Sequence, residues 1–157
     1  MPNIAIFVDV QNIYYTTKST YGGQFNYRKF WKETTNKGNI ISAVAYATDK
    51  GDDGQHKFQK ALKHIGFDLK LKPYIQRQDG SAKGDWDVGI TIDILLTAPK
   101  VDTVILLSGD GDFSILLDTI TEKYQVTTEV HGVANLTAKA LIDSCGTFHQ
   151  IKQQHLL

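Results

Sequence analysis

The chain has 157 residues, of which 41% are hydrophobic and 22% are charged, a composition typical of a globular protein with an apolar core. A lone cysteine, Cys145, excludes an internal disulfide and a cysteine-rich zinc site. No run of about 18 apolar residues is present to span a membrane. The first residues have no basic segment before their apolar run, so we expect a cytoplasmic protein with a single domain over residues 1–157.

The net charge of zero conceals an asymmetry along the chain. Residues 1–83 carry 13 Lys and Arg against 7 Asp and Glu, whereas residues 84–157 carry 4 against 10. A protein that binds a polyanion needs positive surface, and a site for a hard cation needs clustered carboxylates. Two solvated surfaces of opposite charge would give the same counts without any function.

Strand patterns and helix patterns alternate along the sequence. In chain order, we predict a strand at 4–8, a helix at about 26–36, a strand at 40–48, a helix at 55–65, a strand at 67–75, an exposed loop at 76–85, a helix at 87–98, a strand at 101–108, a helix at 112–124, a strand at 126–132, a helix at 135–145 and a short strand near 148–151. This alternation predicts an α/β class protein, with three α/β/α layers around a mostly parallel central sheet. In such sheets, ligands bind beyond the carboxyl ends of the strands, where the strand order reverses.

Two of the predicted elements carry further information. Pro73 has no amide proton for a sheet ladder, so the strand at 67–75 is expected at a sheet edge. The helix at 87–98 is followed by Pro99, which cannot continue it. One apolar stripe of this helix comprises Val88, Ile92, Leu95 and Leu96.

Aspartates follow two of the most apolar predicted strands. The first strand runs into Asp9, the fourth runs into Asp110 and Asp112, and Asp87 opens the helix at 87–98. If the first and fourth strands are neighbours, Asp9 and Asp110 face each other at one rim of the sheet. Clustered carboxylates repel one another unless a cation compensates them, and oxygen ligands without His or Cys suit Mg²⁺ or Mn²⁺.

Each of these carboxylates also has a purely structural interpretation. Asp112 and Asp87 could each cap the helix that follows, and Asp9 could cap a helix or turn of its own. Asp93 is six residues beyond Asp87, about 120° around and about 9 Å along a regular helix, so the two are not expected to bind the same ion directly. The EF-hand, P-loop, dinucleotide-binding and H-E-x-x-H patterns are absent from the sequence.

Three motifs together resemble a known family. FVDVQN at 7–12, KGDWDVGITID at 83–93 and SGDGDF at 108–113 resemble the NYN domain, a branch of the PIN-like metal-dependent ribonucleases, in particular its LabA-like bacterial branch. The resemblance covers nearly the whole chain. It implies a PIN-like, Rossmann-like fold, an aspartate pocket that binds Mg²⁺ or Mn²⁺, and hydrolysis of RNA phosphodiester bonds.

The resemblance also implies roles for individual residues. The expected catalytic residues are Asp9, Asp87 and Asp110, which with Asp112 would hold the metal, and the expected supporting residues are Asn12, Asp93 and Ser108. Members of the family commonly read K-G-x-D-V, whereas this chain has one extra residue between Lys83 and Val88. Alignment on Asp87 keeps the spacing to Asp93, and it leaves the roles of Lys83 and Asp85 open.

An acidic pocket repels RNA, so basic surface elsewhere would have to bind it. The candidates are Lys57 and Lys60 on the outer side of the helix at 55–65, and Arg77 and Lys83 in the following loop, with Trp86 as a residue that stacks on unpaired bases. Lysines on an amphipathic helix can equally be a solvated face. The expected partner is single-stranded or structured RNA, with no membrane contact, and homodimerisation is left open.

Two other functions remain to be weighed. One is a regulatory domain that binds RNA or a protein without cleaving and retains the metal site. The other is a phosphatase that uses Asp110 and Asp112 as a D-x-D pair. This second function is disfavoured, because such a pair follows the first strand in those enzymes and the fourth strand here.

Overall fold

The computed structural model describes residues 1–73, 75–76, 82–83 and 85–157. Its main sheet has six parallel strands in the order β3-β2-β1-β6-β7-β8, and β4 pairs antiparallel with β5 in a separate two-stranded sheet. The predicted α/β class and the mostly parallel sheet are confirmed. The strands are β1 Asn3–Asp9, β2 Asn39–Asp49, β3 Asp68–Pro73, β4 Ile75–Gln76, β5 Ala82–Lys83, β6 Thr103–Leu107, β7 Thr127–Gly132 and β8 Thr147–Gln150.

The helices cover both faces of the main sheet. Residues of the first three helices belong to one buried apolar cluster and residues of the last three belong to the other. The α-helices are α1 Val10–Tyr21, α2 Tyr27–Thr35, α3 Asp53–Ile65, α4 Asp87–Thr97, α5 Ser114–Tyr124 and α6 Lys139–Ser144, and the short 3₁₀ turns are Ala98–Lys100, Gly111–Phe113, Ala134–Leu136 and Gln153–His155. Among the residues described here, no helix is both long enough and apolar enough to cross a membrane.

Strand β1 lies at the centre of the sheet and is buried on both faces. Ile6 and Val8 pack into the cluster under α1, α2 and α3, while Ala5 and Phe7 pack into the cluster under α4, α5 and α6. Because side chains alternate between the faces of a strand, burial on both sides requires an unbroken apolar run, as the sequence has at this point.

The strand order reverses at β1. This strand pairs in parallel with β2 on one side and with β6 on the other, and Val8 is in register with Leu107. The expectation that the first and fourth predicted strands are neighbours is confirmed. Asp9 follows Val8 and Ser108 follows Leu107, so these two residues lie side by side at the carboxyl rim of the sheet.

Two segments differ from the sequence-based prediction. The sequence pattern does not predict helix α1, because VQNIYYTTKSTY is largely polar. In the structure, the buried residues of this helix are Val10, Ile13 and Thr17. The predicted loop at 76–85 includes part of the β4–β5 pairing. Arg77, in the same predicted loop, lies outside the described residues.

Helix α4 packs on the sheet through a different side from the one that its apolar stripe indicates. Ile90 and Ile94 are fully buried. The exposed side carries the four residues of the stripe, Val88, Ile92, Leu95 and Leu96. Since the helix is apolar over most of its circumference, periodicity alone does not identify the side that faces the sheet.

Candidate metal centre

Asp9 is held at the end of β1 by two hydrogen bonds. The Asn12 amide donates to its Oδ1 at 3.5 Å, which makes Asp9 the N-cap of α1, and the Ser108 hydroxyl donates to its Oδ2 at 3.1 Å. Burial raises the pKa of Asp9 to about 6, although both hydrogen bonds act to lower it. The structure thus gives Asp9 a capping role and also places its carboxyl group at the rim.

The loop after β6 is held by hydrogen bonds of the Gly109 backbone. The Gly109 amide donates to Oδ1 of Asn12 at 2.8 Å, and the Gly109 carbonyl accepts from the Ala138 amide at 3.0 Å. A Cβ atom on Gly109 would lie 2.6 Å from the Leu136 carbonyl oxygen, so a side chain at this position would force the loop to move. Asn12 therefore connects the start of α1 to the loop that carries Asp110.

Asp110 caps the 3₁₀ turn Gly111–Phe113, and its Oδ1 accepts from the Asp112 amide at 2.9 Å. The interpretation of Asp112 as the helix cap is wrong, because Phe113 occupies the N-cap position of α5 and Asp110 caps the 3₁₀ turn before it. Phe113, which ends the turn, is fully buried and anchors it to the core. The carboxyl group of Asp112 is thus free of a capping role and is exposed.

Asp87 is the first residue of α4, and Trp86 fixes its position. Trp86 Nε1 donates to the Ala47 carbonyl at 2.9 Å, and its ring lies 5.4 Å from the ring of Tyr46 on β2. A Cβ atom on Gly89 would come within 2.6 Å of the Trp86 ring, so this glycine allows the ring to pack against the first turn. Asp87 is not the N-cap of α4, since Trp86 occupies that position.

Three of the carboxyl groups converge. Asp87, Asp110 and Asp112 each have one oxygen within 4.8 Å of the others. Burial, followed by repulsion from the Asp110 carboxylate, raises the pKa of Asp87 to about 7. Asp9 lies outside this trio, but its charge also contributes to the raised pKa of Asp87. A proton or a cation can relieve the repulsion, and an all-oxygen donor set favours Mg²⁺ or Mn²⁺ among the cations.

Asp93 is turned towards a different set of partners. Its Oδ2 accepts from the Tyr46 hydroxyl at 2.7 Å and forms an ion pair with Lys70 Nζ at 2.7 Å. These contacts join α4 to β2 and β3. Asp93 can therefore support the site only through the position of α4.

The predicted RNA-binding residues fall into three groups. Lys57 and Lys60 are exposed on α3. Lys83 belongs to β5, where side chains are not described, and Arg77 lies outside the described residues. The Trp86 ring has Lys72 Nζ at 4.3 Å from its centroid as well as Tyr46 beside it, and its role in base stacking stays a prediction.

Sequence reasoning missed an aromatic pair on α1, the helix that Asp9 caps. Tyr14 and Tyr15 are 41% and 52% exposed, and their rings meet edge to face at 5.3 Å. Lys18 Nζ lies 5.4 Å from the centroid of the Tyr14 ring. The two tyrosines follow FVDVQN almost directly, but only the helix shows that they project from the surface near the rim.

Comparisons with known proteins agree with this architecture. The family model of the NYN domain matches residues 3–152. The low amplitude and bright protein LabA of Synechococcus elongatus is 28% identical to this chain over 135 residues, which cover 81% of this chain and 72% of that protein. The crystal structure of a protein of unknown function from Vibrio parahaemolyticus RIMD 2210633 is 50% identical, with a TM-score of 0.94 over 99% of this chain and 96% of that one.

Proposed function

The chain belongs to the NYN domain family, and we propose that it is a metal-dependent ribonuclease that hydrolyses RNA phosphodiester bonds. The observation that carries the proposal is the approach of Asp87, Asp110 and Asp112 to within 4.8 Å at the carboxyl rim. Ligands of open α/β sheets bind at this rim, where the strand order reverses.

We propose that Asp87, Asp110 and Asp112 hold a divalent cation, Mg²⁺ or Mn²⁺, with Asp9 as a further ligand beside them. When bound there, such a cation would lower the pKa of a bound water and stabilise the charge that develops on the scissile phosphate. In this scheme the carboxyl groups would bind and orient the cation, and they need not accept a proton. Asp87 must lose its own proton before it can serve as a ligand, because its pKa is raised to about 7.

Asn12 and Ser108 act as positioning residues in this proposal. The Asn12 side chain accepts from the Gly109 amide at 2.8 Å, and the Ser108 hydroxyl contacts Asp9 at 3.1 Å and the Asp110 amide at 3.2 Å. These bonds fix the angle between the ends of β1 and β6. Small displacements of reacting groups are costly in catalysis, so a rigid frame favours activity.

RNA would approach the carboxylates over neighbouring surfaces. A shallow groove of about 190 Å³ adjoins the trio and is lined partly by Val88, Ile92 and Phe113, which suits the flat face of a base. Tyr14 and Tyr15 are exposed aromatic rings. In many proteins that bind single strands, rings of this kind stack on unpaired bases. We propose that these rings and the lysines of α3 bind the strand and place one phosphate beside the carboxylates of Asp87, Asp110 and Asp112.

A single-turnover assay with labelled single-stranded RNA tests the proposal. Asp110→Asn removes one charge but keeps an oxygen that can accept from the Asp112 amide, so the 3₁₀ turn is preserved. We expect cleavage in Mn²⁺ that EDTA abolishes, and a loss of at least about 100-fold in Asp110→Asn, equivalent to about 2.7 kcal/mol of barrier. Asp118→Asn, at an exposed position on α5, is the matched control and should cleave like wild type.

The same samples distinguish the alternative of a regulatory domain that binds RNA or a protein without cleaving. Filter binding of the RNA, measured beside the cleavage, separates retention from hydrolysis. Absence of metal-dependent cleavage in the wild type, or equal cleavage by Asp110→Asn, would overturn the ribonuclease proposal. RNA retention in Mn²⁺ without product would support the alternative.

A further inference from the structure

A second group of potential metal ligands lies on β7 and β8. Glu129 and His131 are two residues apart on β7, so their side chains share one face of the sheet, and His149 of β8 is in register with His131. The His131 ring packs edge to face against Phe30 of α2, with the ring centroids 5.1 Å apart. Each of the three residues offers a ligand atom within 4.8 Å of the other two.

Polar atoms of this group are buried without a hydrogen bond. Glu129 Oε1 and His131 Nε2 are both inaccessible to solvent and have no hydrogen-bond partner. The His149 Nε2 atom lies 2.9 Å from Oε1, but the contact lacks hydrogen-bond geometry, and His131 Nε2 is 3.9 Å from the same oxygen. Leaving such an atom buried and unsatisfied is unfavourable, and a bound ligand would relieve this penalty.

The two imidazole rings are oriented alike. They stack with centroids 4.4 Å apart and an angle of 14° between their planes. The Nε2 atoms of His131 and His149 lie 3.9 Å and 2.9 Å from Glu129 Oε1. The lone pair of an imidazole nitrogen lies in the plane of its ring, so one of the two stacked rings must rotate before both nitrogens point at one cation.

We infer that Glu129, His131 and His149 form a second metal site, which takes Zn²⁺ or a similar late first-row divalent ion. Two imidazole nitrogens and one carboxylate are a protein ligand set for zinc that leaves one coordination position open. Both histidines line a cleft of about 370 Å³ between α2 and the β8 edge, so the open position is accessible to water or an anion. Lys37 and Lys152 line the same cleft and favour the anion.

The two metal sites differ in chemistry and in place. The trio of Asp87, Asp110 and Asp112 offers only oxygen and lies at the carboxyl rim near β1 and β6. The site on β7 and β8 offers nitrogen and lies on the face of the sheet under α2. Imidazole ligands favour zinc over magnesium, so excess Mg²⁺ should fill the first site without displacing Zn²⁺ from the second.

A simple ion pair is the competing explanation. A protonated His149 could neutralise Glu129 across the 2.9 Å contact without any metal. That arrangement leaves the buried Nε2 atom of His131 unsatisfied. An ion pair alone gives no reason for specific binding of one Zn²⁺ equivalent, so the experiment has a clear alternative outcome.

Isothermal titration with Zn²⁺ in the presence of excess Mg²⁺ tests the inference on the full chain. We expect a single equivalent to bind to the wild type, and the affinity to fall at least about 100-fold in His149→Gln and in Glu129→Gln, since each loses a direct ligand. His149 is about one-third exposed, so its substitution does not disturb the core and remains informative if Glu129→Gln fails to fold. His64→Gln, at an exposed position on α3, is the matched control and should bind like wild type.

Substitution of Co²⁺ for Zn²⁺ gives a second readout, because a four-coordinate cobalt site with nitrogen ligands has intense visible absorption. These bands should appear in wild type and in Asp110→Asn and be absent from His149→Gln. Three results would overturn the inference: no Zn²⁺ bound by the wild type, unchanged affinity in His149→Gln, or loss of Zn²⁺ in Asp110→Asn. Failure of the ribonuclease assay has no bearing on these outcomes.

Discussion

The Ser108 hydroxyl donates a hydrogen bond of 3.1 Å to the Asp9 carboxylate across the ends of β6 and β1. The bond stabilises the charged form of Asp9 and so opposes the burial that raises the pKa of this group to about 6. The same hydroxyl accepts from the Asp110 amide at 3.2 Å. One side chain therefore influences both the charge and the position of the proposed ligands.

Ser108→Ala should raise the pKa of Asp9 further, because the carboxylate no longer has this donor. We expect the pH at which Mn²⁺ binds to shift upwards, with affinity at alkaline pH reduced much less than affinity near pH 6. Titrations of Mn²⁺ over a pH series, followed by calorimetry, measure this shift. Ser19→Ala, on the exposed side of α1, is the control, and a pH profile of Ser108→Ala that coincides with wild type would contradict the role of the hydroxyl.

The stability of the metal-free chain should depend on the protons of Asp9 and Asp87. Their pKa values of about 6 and about 7 lie above the 3.8 of an ordinary aspartate. Between about pH 4 and pH 7 the native state therefore binds more protons than the unfolded state, so these groups lower the free energy of unfolding as the pH rises. Their contribution is fully present below about pH 4 and is lost above about pH 7.

Urea unfolding in EDTA at about pH 5 and pH 8, for wild type and Asp87→Asn, measures this linkage. The variant lacks one of the two carboxyl groups with a raised pKa. Its stability should therefore fall less between the two pH values than that of wild type. Saturating Mn²⁺ should reverse the trend in wild type, because the ion binds the deprotonated groups. Equal pH dependence of wild type and Asp87→Asn in EDTA would show that the Asp87 proton is not linked to folding.

Asp93→Asn should lower the stability slightly and leave the rate of RNA cleavage nearly unchanged. An asparagine oxygen can still accept from the Tyr46 hydroxyl, whereas the ion pair with the half-exposed Lys70 is removed. We expect a destabilisation of at most about 1 kcal/mol, since solvent screens such pairs. Denaturant midpoints and single-turnover cleavage, measured on one preparation, test this expectation. A loss of cleavage as large as that of Asp110→Asn would assign Asp93 to the metal site.

The exposed lysines of α3 should contribute to RNA affinity through their charge on the phosphates. We expect the double variant Lys57→Gln, Lys60→Gln to bind single-stranded RNA more weakly, and the slope of log affinity against log salt to become shallower by about 0.7 for each phosphate no longer neutralised. Filter binding over a series of salt concentrations gives both quantities. Lys123→Gln with Lys139→Gln, on α5 and α6, is the control of equal charge. An identical salt slope in both double variants would place the RNA on another surface.

The sequence predicts the sheet and the acidic rim well because both follow from local patterns. Apolar runs that end near Asp9 and Asp110 mark central strands and their carboxyl ends, and parallel pairing places both strand ends at the same edge of the sheet. The three motifs likewise indicate membership of the NYN domain family, which is confirmed. These inferences need only short segments and one topological rule.

Other features depend on contacts that the sequence pattern does not contain. The side of α4 that meets the sheet carries Ile90 and Ile94, and apolar periodicity alone does not identify it. The grouping of His131 with His149 depends on the register of β7 and β8, because the two histidines are far apart in the sequence. Only the pair Glu129 and His131, spaced for one face of a strand, is visible as a local signal.

The pairing of β1 with β6 has a consequence for the order of events during synthesis. The contact from Ser108 to Asp9 joins residues 99 positions apart in the chain. A nascent chain that has not yet reached β6 contains Asp9 and the Asp87 segment but lacks the loop with Asp110 and Asp112. Contacts between distant segments form late, since the loop between them must close first. The complete site for the proposed cation at the rim would therefore form only when the second half of the sheet has joined the first.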